Sequence, residues 1–190
     1  MRPNTWIRTL TVLMMLLLMT VAVASAATVQ EKRDSIREMR TETLQKMYDV
    51  HPTAKGAVQQ AYGYAVFNNS DIQLGLLGGG GGNGLAIINS TGGEIFMKTV
   101  EGSVGMGLGV KNYMLVFVFE TQKAFADFTS EGWEWGGQAT AAATDNISGD
   151  SVQGAVSGGP GVWVYQSTDK GLELTATLRG IRYYKNSDLN

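Results

Sequence analysis

The hydrophobic pattern along the chain changes period near residue 60. Residues 29–50 are charged and free of glycine, and their apolar positions recur at roughly helical spacing. This pattern predicts an amphipathic helix that packs its apolar stripe on another element, because its surface charge pairs give little support. Pro52 is expected to end this helix, since the residue before a proline avoids the helical region.

A second, short helix is predicted over residues 53–60, with Thr53 as its N-cap. From there the pattern is typical of strands, bounded by glycine and polar residues. The predicted strands cover residues 61–67, 72–77, 83–89, 94–99 and 104–110. A hairpin turn is predicted at residues 90–93. Residues 113–119 are apolar on both faces, which indicates a central, buried strand.

The C-terminal third predicts one more helix and the closing strands. Phe125 and Phe128 are three residues apart, and Thr121 precedes them as a suitable N-cap, so residues 121–130 predict a short helix. Residues 145–161 predict a loop with a short strand at 152–156. Strands at 162–166, 172–178 and 181–184 complete the sheet. The expected fold class is α+β: N-terminal helices packed on a glycine-rich, mostly antiparallel sheet, sandwich or barrel-like, with one short inserted helix.

Glycine dominates the β-rich part. All 25 glycines lie between Gly56 and Gly180. Each glycine costs a helix interior about 1 kcal/mol relative to alanine, so the glycine-rich stretch at 74–84 argues against a helix. We interpret it as strands that bend sharply or on which another backbone packs closely. The glycines expected to have this structural role are Gly63, Gly78, Gly79, Gly80, Gly81, Gly82, Gly84, Gly105, Gly107 and Gly109.

Length, charge and composition exclude several classes of protein. The chain has 190 residues, enough for one domain with a sizeable core, and a formal net charge of −2, so nothing marks a nucleic-acid partner. It has no cysteine and one histidine, which excludes disulfides, thiolate metal sites and histidine-rich metal sites. We therefore expect neither a metal nor a cofactor.

The first 26 residues resemble a secretory signal peptide. Arg2 and Arg8 form a positive region before an apolar segment over residues 10–23, which is too short to span a membrane comfortably. Residues 24–26 fit a cleavage site. We expect residues 27–190 to form one exported domain, periplasmic or secreted, with a helical part at 29–60 and a β-rich part at 61–184. An uncleaved membrane anchor is the alternative; a lipid anchor is excluded because no cysteine is present.

No motif predicts a catalytic site. The Gly-x-Gly-x-x-Gly at residues 79–84 matches the dinucleotide fingerprint formally, but a strand follows where that motif needs a helix. His51 stands at a helix end, where the helix dipole favours a cation, and no nucleophile can be assigned to it. Glu131 and Glu134 would suit a paired-carboxylate glycosidase only at a spatial separation that sequence spacing does not give.

Two sets of residues are candidates for contact with lipid. The helix over 29–50 is locally basic, and its cations would meet headgroups at a membrane surface. These cations are Lys32, Arg33, Arg37, Arg40 and Lys46. Trp133 and Trp135 lie on one face of an extended segment and would meet acyl chains. For both sets, packing within the fold and ordinary solvation are the favoured alternatives.

Several motifs, taken in order, resemble the SYLF domain, also called the Ysc84-type domain. Residues 63–67, Gly-Tyr-Ala-Val-Phe, match the opening strand of that family, and residues 78–84 match its glycine block. Residues 161–165, Gly-Val-Trp-Val-Tyr, match a later strand. The resemblance covers residues 50–184. The chain departs from the family pattern at Asn68, where a proline is usual, and in the turn over 68–73, which lacks a lysine.

The resemblance implies a single α+β domain and a binding function. Eukaryotic members are associated with phosphoinositides and, in the yeast type, with actin, whereas exported bacterial members are described as lipid-binding by analogy. We therefore expect a non-catalytic module of the bacterial cell envelope, not an enzyme, that binds lipid or a membrane surface. The alternative is a structural or protein-interaction envelope protein without a lipid site. A small outer-membrane barrel is disfavoured by the leading charged helix, and a hydrolase has no supporting motif.

Overall fold

The computed structural model describes residues 5–130, 132–134, 154–168 and 181–190, with side chains from residue 28 onward except those of 103–107. Its elements in chain order are α1 (Thr5–Val50), α2 (Pro52–Gln60), β1 (Gly63–Ile88), β2 (Gly93–Phe119), α3 (Gln122–Ser130), β3 (Trp133–Glu134), β4 (Val156–Gly159), β5 (Val162–Thr168) and β6 (Ile181–Lys185). The predicted α+β class is confirmed, since α1 packs on an antiparallel sheet.

Two long strands form the body of the domain. β1 pairs antiparallel with β2 over its whole length, from Gly63 opposite Phe119 to Ile88 opposite Gly93. The turn between them lies at residues 89–92, so the predicted hairpin is confirmed within one residue. The division of this region into six separate strands is wrong. The glycines and polar residues that separated the predicted strands pair within one continuous ladder.

The ribbon of β1 and β2 bends at Gly75. This glycine has a φ of +69°, in the left-handed region that glycine adopts without strain. The pairing register also shifts by one residue between Gly75 and Leu77. Such a bulge bends its strand and increases the local twist. Beyond the bend, the second half of β1 returns alongside its own first half.

The two halves of β1 approach so closely that no side chain fits between them. A Cβ at Gly80 would lie 2.2 Å from the carbonyl oxygen of Ser70, and a Cβ at Gly82 would lie 2.2 Å from the carbonyl oxygen of Asn68. Both distances are far inside van der Waals contact, so these positions require glycine. We call this contact the glycine seam and define it by Gly63, Gly80, Gly82 and Gly84.

The glycines predicted in β2 differ from those of the seam. A Cβ at Gly109 would meet no atom within 4 Å, so the close approach expected at this position is not observed. Gly109 follows the exposed Leu108, on a part of β2 that lies beyond its pairing with β5 and β6. The side chains around Gly105 and Gly107 lie outside the described residues.

β2 is the centre of the sheet. Residues 113–119 pair with β5, which pairs with β4, whereas residues 97–101 pair with β6, which pairs with β3. The prediction of a buried central strand at 113–119 is confirmed, because every residue of that range is buried. β4 begins at Val156, the last residue of the strand predicted at 152–156, whose first two residues lie outside the described residues. The predicted strand at 172–178 and most of the loop at 145–161 fall outside the described residues.

The alternation of side chains gives the ribbon two faces with separate cores. The inner face forms an aromatic core together with α3, whose main members are Phe67, Phe117, Phe119, Phe125, Phe128 and Tyr183. The outer face packs against α1 and α2, and its main members are Tyr64, Val66, Leu85, Phe96, Val116 and Val118. Ile36, Leu44 and Met47 of α1 lie against this outer face.

The helices differ from the prediction at their beginnings. α1 begins at Thr5 rather than at residue 29, because no glycine or proline interrupts it before Val50. α2 begins at Pro52, with His51 rather than Thr53 as its N-cap and without a side-chain cap. Proline is favoured in the first turn, where its missing N–H has no helical partner. Within the residues that the structure describes, no helix is long and apolar enough to cross a membrane.

α3 begins as predicted. The Ala124 amide donates a hydrogen bond to Thr121 Oγ1 at 3.2 Å, so Thr121 satisfies one of the amides that have no partner within the helix. Phe125 and Phe128 are both buried in the aromatic core. Their spacing of three residues places them on the same side of α3, which faces that core.

Candidate functional site

The bend of the ribbon carries large aliphatic side chains that are exposed. Leu108 is 84% exposed, Leu74 is 71% exposed and Leu77 is 68% exposed. We call this surface the corner patch and define it by Ile72, Leu74, Leu76, Leu77, Leu108 and Val110. Scattered exposed leucines are ordinary, but a group of them at one corner indicates an interaction surface.

The corner patch continues the outer face of the ribbon. Ile72 pairs with Val110 and Leu74 with Leu108, in the same alternation that places Val66 beneath α1. Val66 is fully buried there, whereas Ile72 is 49% exposed. The sequence pattern at the bend is therefore that of a core face, yet no described element covers it.

The opposite face of the bend is polar. Asp71 pairs with Lys111, and Gln73 pairs with Gly109, and these positions alternate with those of the corner patch. The bend is therefore an amphipathic pair of strands, apolar outward and polar inward.

Beneath the bend, a buried polar cluster lines the inner face. The Tyr113 hydroxyl donates a hydrogen bond to the Glu101 carboxylate, and Thr99 Oγ1 lies 2.9 Å from Asn69 Oδ1. Burial raises the pKa of Glu101, and burial together with the adjacent carboxylate raises the pKa of Tyr113. Within the described residues, no group of three or more His, Cys, Asp or Glu side chains could hold a metal ion. The cluster supports the bend and contains no activated nucleophile.

A polar groove of about 460 Å³ lies on the outer face, between the C-terminal turns of α1 and the corner patch. We call it the Lys46 groove. Its main lining residues are Lys46, Asn68, Ser70, Gly82, Asn83 and Asn112. Because Asn68 and Ser70 belong to one half of β1 and Gly82 and Asn83 to the other, the groove crosses the glycine seam.

Three of the predicted headgroup-binding cations make contacts within the fold. Arg37 forms ion pairs with Glu94 at 2.6 Å and with Asp34 at 2.7 Å, which raise the pKa of its guanidinium. Arg33 Nε donates to the Leu189 carbonyl at 3.0 Å, and Arg40 Nη1 donates to the Tyr64 hydroxyl at 3.0 Å.

These arginines therefore fasten α1 to the sheet and to the C-terminal residues. The guanidinium groups of Arg33 and Arg37 also lie over the Phe96 ring, at 5.8 and 5.4 Å from its centroid. Lys32 and Lys46 are exposed, and of these two only Lys46 lines the groove. Of the five predicted cations, three are therefore engaged within the fold and one lines the groove.

Of the two tryptophans predicted to contact acyl chains, the structure describes Trp133. Trp133 packs in the aromatic core, with its ring centroid within 5.8 Å of those of Phe117, Phe128 and Tyr183. Trp135 lies outside the described residues. His51 is buried where α1 meets α2, with Nε2 3.2 Å from the Gln166 carbonyl oxygen, and its ring packs edge-on against Tyr165. Its position is structural, at the junction of two helices with β5.

The sequence reasoning did not identify the corner patch as a surface. The sequence does carry a signal for it, because residues 71–76 alternate polar or glycine positions with aliphatic ones. The alternation predicts the strand at 72–77 but not its exposure, because that depends on where the helices packed on the outer face end.

Comparison with known proteins gives two similarities. The family model Ysc84, described as Las17-binding protein actin regulator, matches residues 100–190. Beta cell expansion factor A from Aeromonas veronii is 32% identical over 162 residues, an alignment that covers 85% of this chain and 60% of that relative. The chain therefore spans about 60% of the length of the curated relative that it matches. The family is linked to binding lipids and other proteins and is generally non-enzymatic.

Proposed function

Because this chain carries a domain of the Ysc84 (SYLF) family, we propose that it is a non-catalytic module that docks on a lipid membrane surface through the corner patch. The observation that carries the proposal is the exposed aliphatic outer face at the bend, with Leu74 71% and Leu108 84% exposed. Burying such side chains is favourable by about 25 cal/mol per Å² of apolar surface.

The shape of the patch favours a bilayer over a rigid protein groove. It lies at an outward corner of the ribbon, where β2 extends beyond its pairing with β5 and β6. A projecting apolar corner enters a fluid acyl layer without needing a complementary pocket. The polar inner face of the bend then points toward the domain and away from the acyl chains. Lys46 and Lys32 are exposed on the same domain and supply the contacts to headgroups that the sequence predicted. In this proposal the corner patch contacts the acyl chains, in place of Trp133 and Trp135.

Vesicle flotation tests the proposal. The double variant Leu74→Ser/Leu108→Ser removes the two most exposed leucines, and we expect it to weaken binding to phosphatidylcholine vesicles at least about tenfold. Val50→Ser is the matched control, because Val50 is also an exposed apolar residue but lies at the end of α1, outside the patch. Equal binding by the double variant and the control would contradict docking through the corner.

The second candidate function is a protein-interaction module without a lipid site. The same corner patch supports it, because a partner protein with an apolar pocket would also cover these leucines. Absence of wild-type binding to both neutral and anionic vesicles, together with loss of an envelope partner from the Leu74→Ser/Leu108→Ser variant in pull-down, favours this function over the first.

The cellular location is part of the proposal. We place the module at the bacterial cell envelope, on the basis of the leader predicted over residues 1–26. Fractionation followed by N-terminal sequencing checks it: a periplasmic or secreted protein that begins at Ala27 supports export with cleavage. A cytoplasmic protein that retains Met1 contradicts it.

A further inference from the structure

We infer that the Lys46 groove binds the phosphate ester of a hydroxyl-bearing headgroup while the corner patch occupies the acyl layer. This inference rests on the proposed membrane docking, and it adds a discrete site with a ligand class of its own. Four properties of the groove carry it: its charge, its hydrogen-bonding groups, its glycine floor and its distance from the corner patch.

The charge of the groove favours an anion. Lys46 is the one ionisable side chain among the residues that line it, and no carboxylate lines it. Within the part of the chain that the structure describes, the Lys46 ammonium has no hydrogen-bond or ion-pair partner. Asp49 lies three residues further along α1, and its carboxylate accepts a hydrogen bond from Gln45 Nε2 at 3.0 Å. The lysine is therefore available to a phosphate oxygen.

The remaining lining groups suit a phosphate ester that carries hydroxyl groups. The side chains of Asn68 and Asn83 are exposed on opposite sides of the glycine seam. Each amide offers two donors for phosphate oxygens and one acceptor for a hydroxyl group. The Ser70 hydroxyl donates a hydrogen bond to Asn112 Oδ1 at 2.8 Å, which holds the rim of the groove in place. A set of neutral amides around one cation matches a singly charged diester with hydroxyls better than a bare anion.

The floor of the groove exists because of the seam. Gly81 and Gly82 line it, and a Cβ at Gly82 would lie 2.1 Å from Asn69 Oδ1. Glycine thus brings the two halves of β1 together and leaves the space above them without side chains. A ligand in this space contacts both halves of the bent strand at once.

The groove and the corner patch are close enough for one lipid molecule. Ser70 pairs with Asn112 at the rim of the groove, and Ile72 pairs with Val110 in the patch. Two residues along a strand correspond to about 7 Å, and both pairs lie on the outer face. A phosphate in the groove therefore has the start of its acyl chains at the patch.

Vesicle flotation with three lipid compositions tests the inference. The vesicles contain phosphatidylcholine alone or with an equal fraction of phosphatidylglycerol or phosphatidylserine, so that the last two share a charge but differ in the headgroup. We expect the wild type to prefer phosphatidylglycerol. Lys46→Gln should lower that affinity about fivefold and leave binding to phosphatidylcholine unchanged, since one lysine near an anionic surface contributes about 1 kcal/mol. Lys55→Gln, at an exposed lysine of α2, is the matched control and should keep the preference.

The outcomes separate this inference from the membrane proposal. Equal binding to the two anionic compositions, or equal preference in the Lys46 and Lys55 variants, overturns the groove while docking stands. Absence of binding to every vesicle overturns docking, and the groove is then decided with soluble glycerophosphoglycerol, the deacylated diester of the same headgroup. Shifts of the Asn68 and Asn83 side-chain amide resonances that disappear in Lys46→Gln support a soluble ester as the ligand, and their absence overturns the site. Where the vesicle preference holds, competition by glycerophosphoglycerol shows whether the free diester or only the lipid headgroup is bound.

Discussion

The outer face of the ribbon has two regions that share one pattern and differ in what covers them. Val66 and Leu85, near the ends of the ribbon, are fully buried under the N-terminal helices, whereas Leu74 and Leu108, at the bend, are mostly exposed. Alternation assigns all four residues to the same face. The pattern therefore determines the face, and the length of α1 determines which part of it becomes core.

The covered and the exposed regions of this pair of strands therefore have different roles, the first in stability and the second in binding. The covered region buries apolar surface against α1, and that burial stabilises the domain. The exposed region contributes little to stability, and its aliphatic side chains lie at a corner where polar residues would be better solvated. The Lys46 groove lies at the border of the two regions.

The largest effect on stability is expected from a substitution in the glycine seam. At Gly80 a Cβ would lie 2.2 Å from the Ser70 carbonyl oxygen and 2.7 Å from the Asp71 Cα, and backbone atoms cannot move aside locally. We expect Gly80→Ala to destabilise the domain by about 3 kcal/mol or more and to separate the two halves of β1. Urea unfolding followed by circular dichroism measures this.

Gly109→Ala is the matched control for the seam. It is also a strand glycine of the ribbon, but a Cβ there meets nothing within 4 Å. We expect its free energy of unfolding to change by less than about 1 kcal/mol. Similar destabilisation by the two substitutions would contradict the role assigned to close approach at the seam.

A pair of leucines in β1 tests the comparison directly. Leu85 is fully buried and Leu74 is 71% exposed, yet both lie on the outer face. We expect Leu85→Ala to lower the free energy of unfolding by about 2–5 kcal/mol, because it leaves a cavity beneath the helices. Leu74→Ala should change it by less than about 0.5 kcal/mol.

Vesicle binding should show the opposite order. Leu74→Ala is expected to weaken binding to vesicles several-fold, whereas folded Leu85→Ala should bind as the wild type does. Stability is measured by urea unfolding and binding by flotation on the same preparations. A large loss of stability in Leu74→Ala would mean that another element covers the corner, and the comparison would then fail.

The sequence predicted those features that depend on local chemistry. The hairpin near residues 89–92, the buried strand at 113–119 and the cap at Thr121 follow from turn residues, continuous apolar character and a hydroxyl before a helical pattern. The α+β class follows from the change of period near residue 60.

The features that sequence reasoning missed depend on distant contacts. Arg37 was predicted to face headgroups, but its partner is Glu94, 57 residues away, and no helical pattern reveals such a partner. The continuity of β1 through its glycines was missed for a related reason. Glycine ordinarily weakens a strand, and only the return of β1 alongside its own first half makes glycine necessary there. The corner patch and the groove both arise from that return.

The smallest expected effect concerns the polar inner face beneath the corner. Glu101 pairs with Gly80 across the strands, and its carboxylate accepts a hydrogen bond from the Tyr113 hydroxyl. The charges of Asp71 and Lys111 also act on this carboxylate, which in turn acts on the Tyr183 hydroxyl. Burial raises the pKa of Glu101 above its ordinary value of 4.5, and Asp71 raises it further, while Tyr113 and Lys111 oppose the shift. The folded state therefore favours the protonated acid. Its contribution to stability is fully present below pH 4.5 and is lost as the pH rises through the raised pKa.

The variant Glu101→Gln makes this dependence measurable, because glutamine keeps an acceptor for the Tyr113 hydroxyl and does not titrate. We expect the difference in free energy of unfolding between the variant and the wild type to shift in favour of the variant from pH 4 to neutral pH, and then to level off. Glu42→Gln, on the exposed surface of α1, is the control for a change of net charge. Urea midpoints measured across this range give the two curves. If the Glu101 and Glu42 curves run parallel, the carboxylate beneath the corner is solvated, and the contrast between a polar, enclosed inner face and an apolar, open outer face at the bend does not hold.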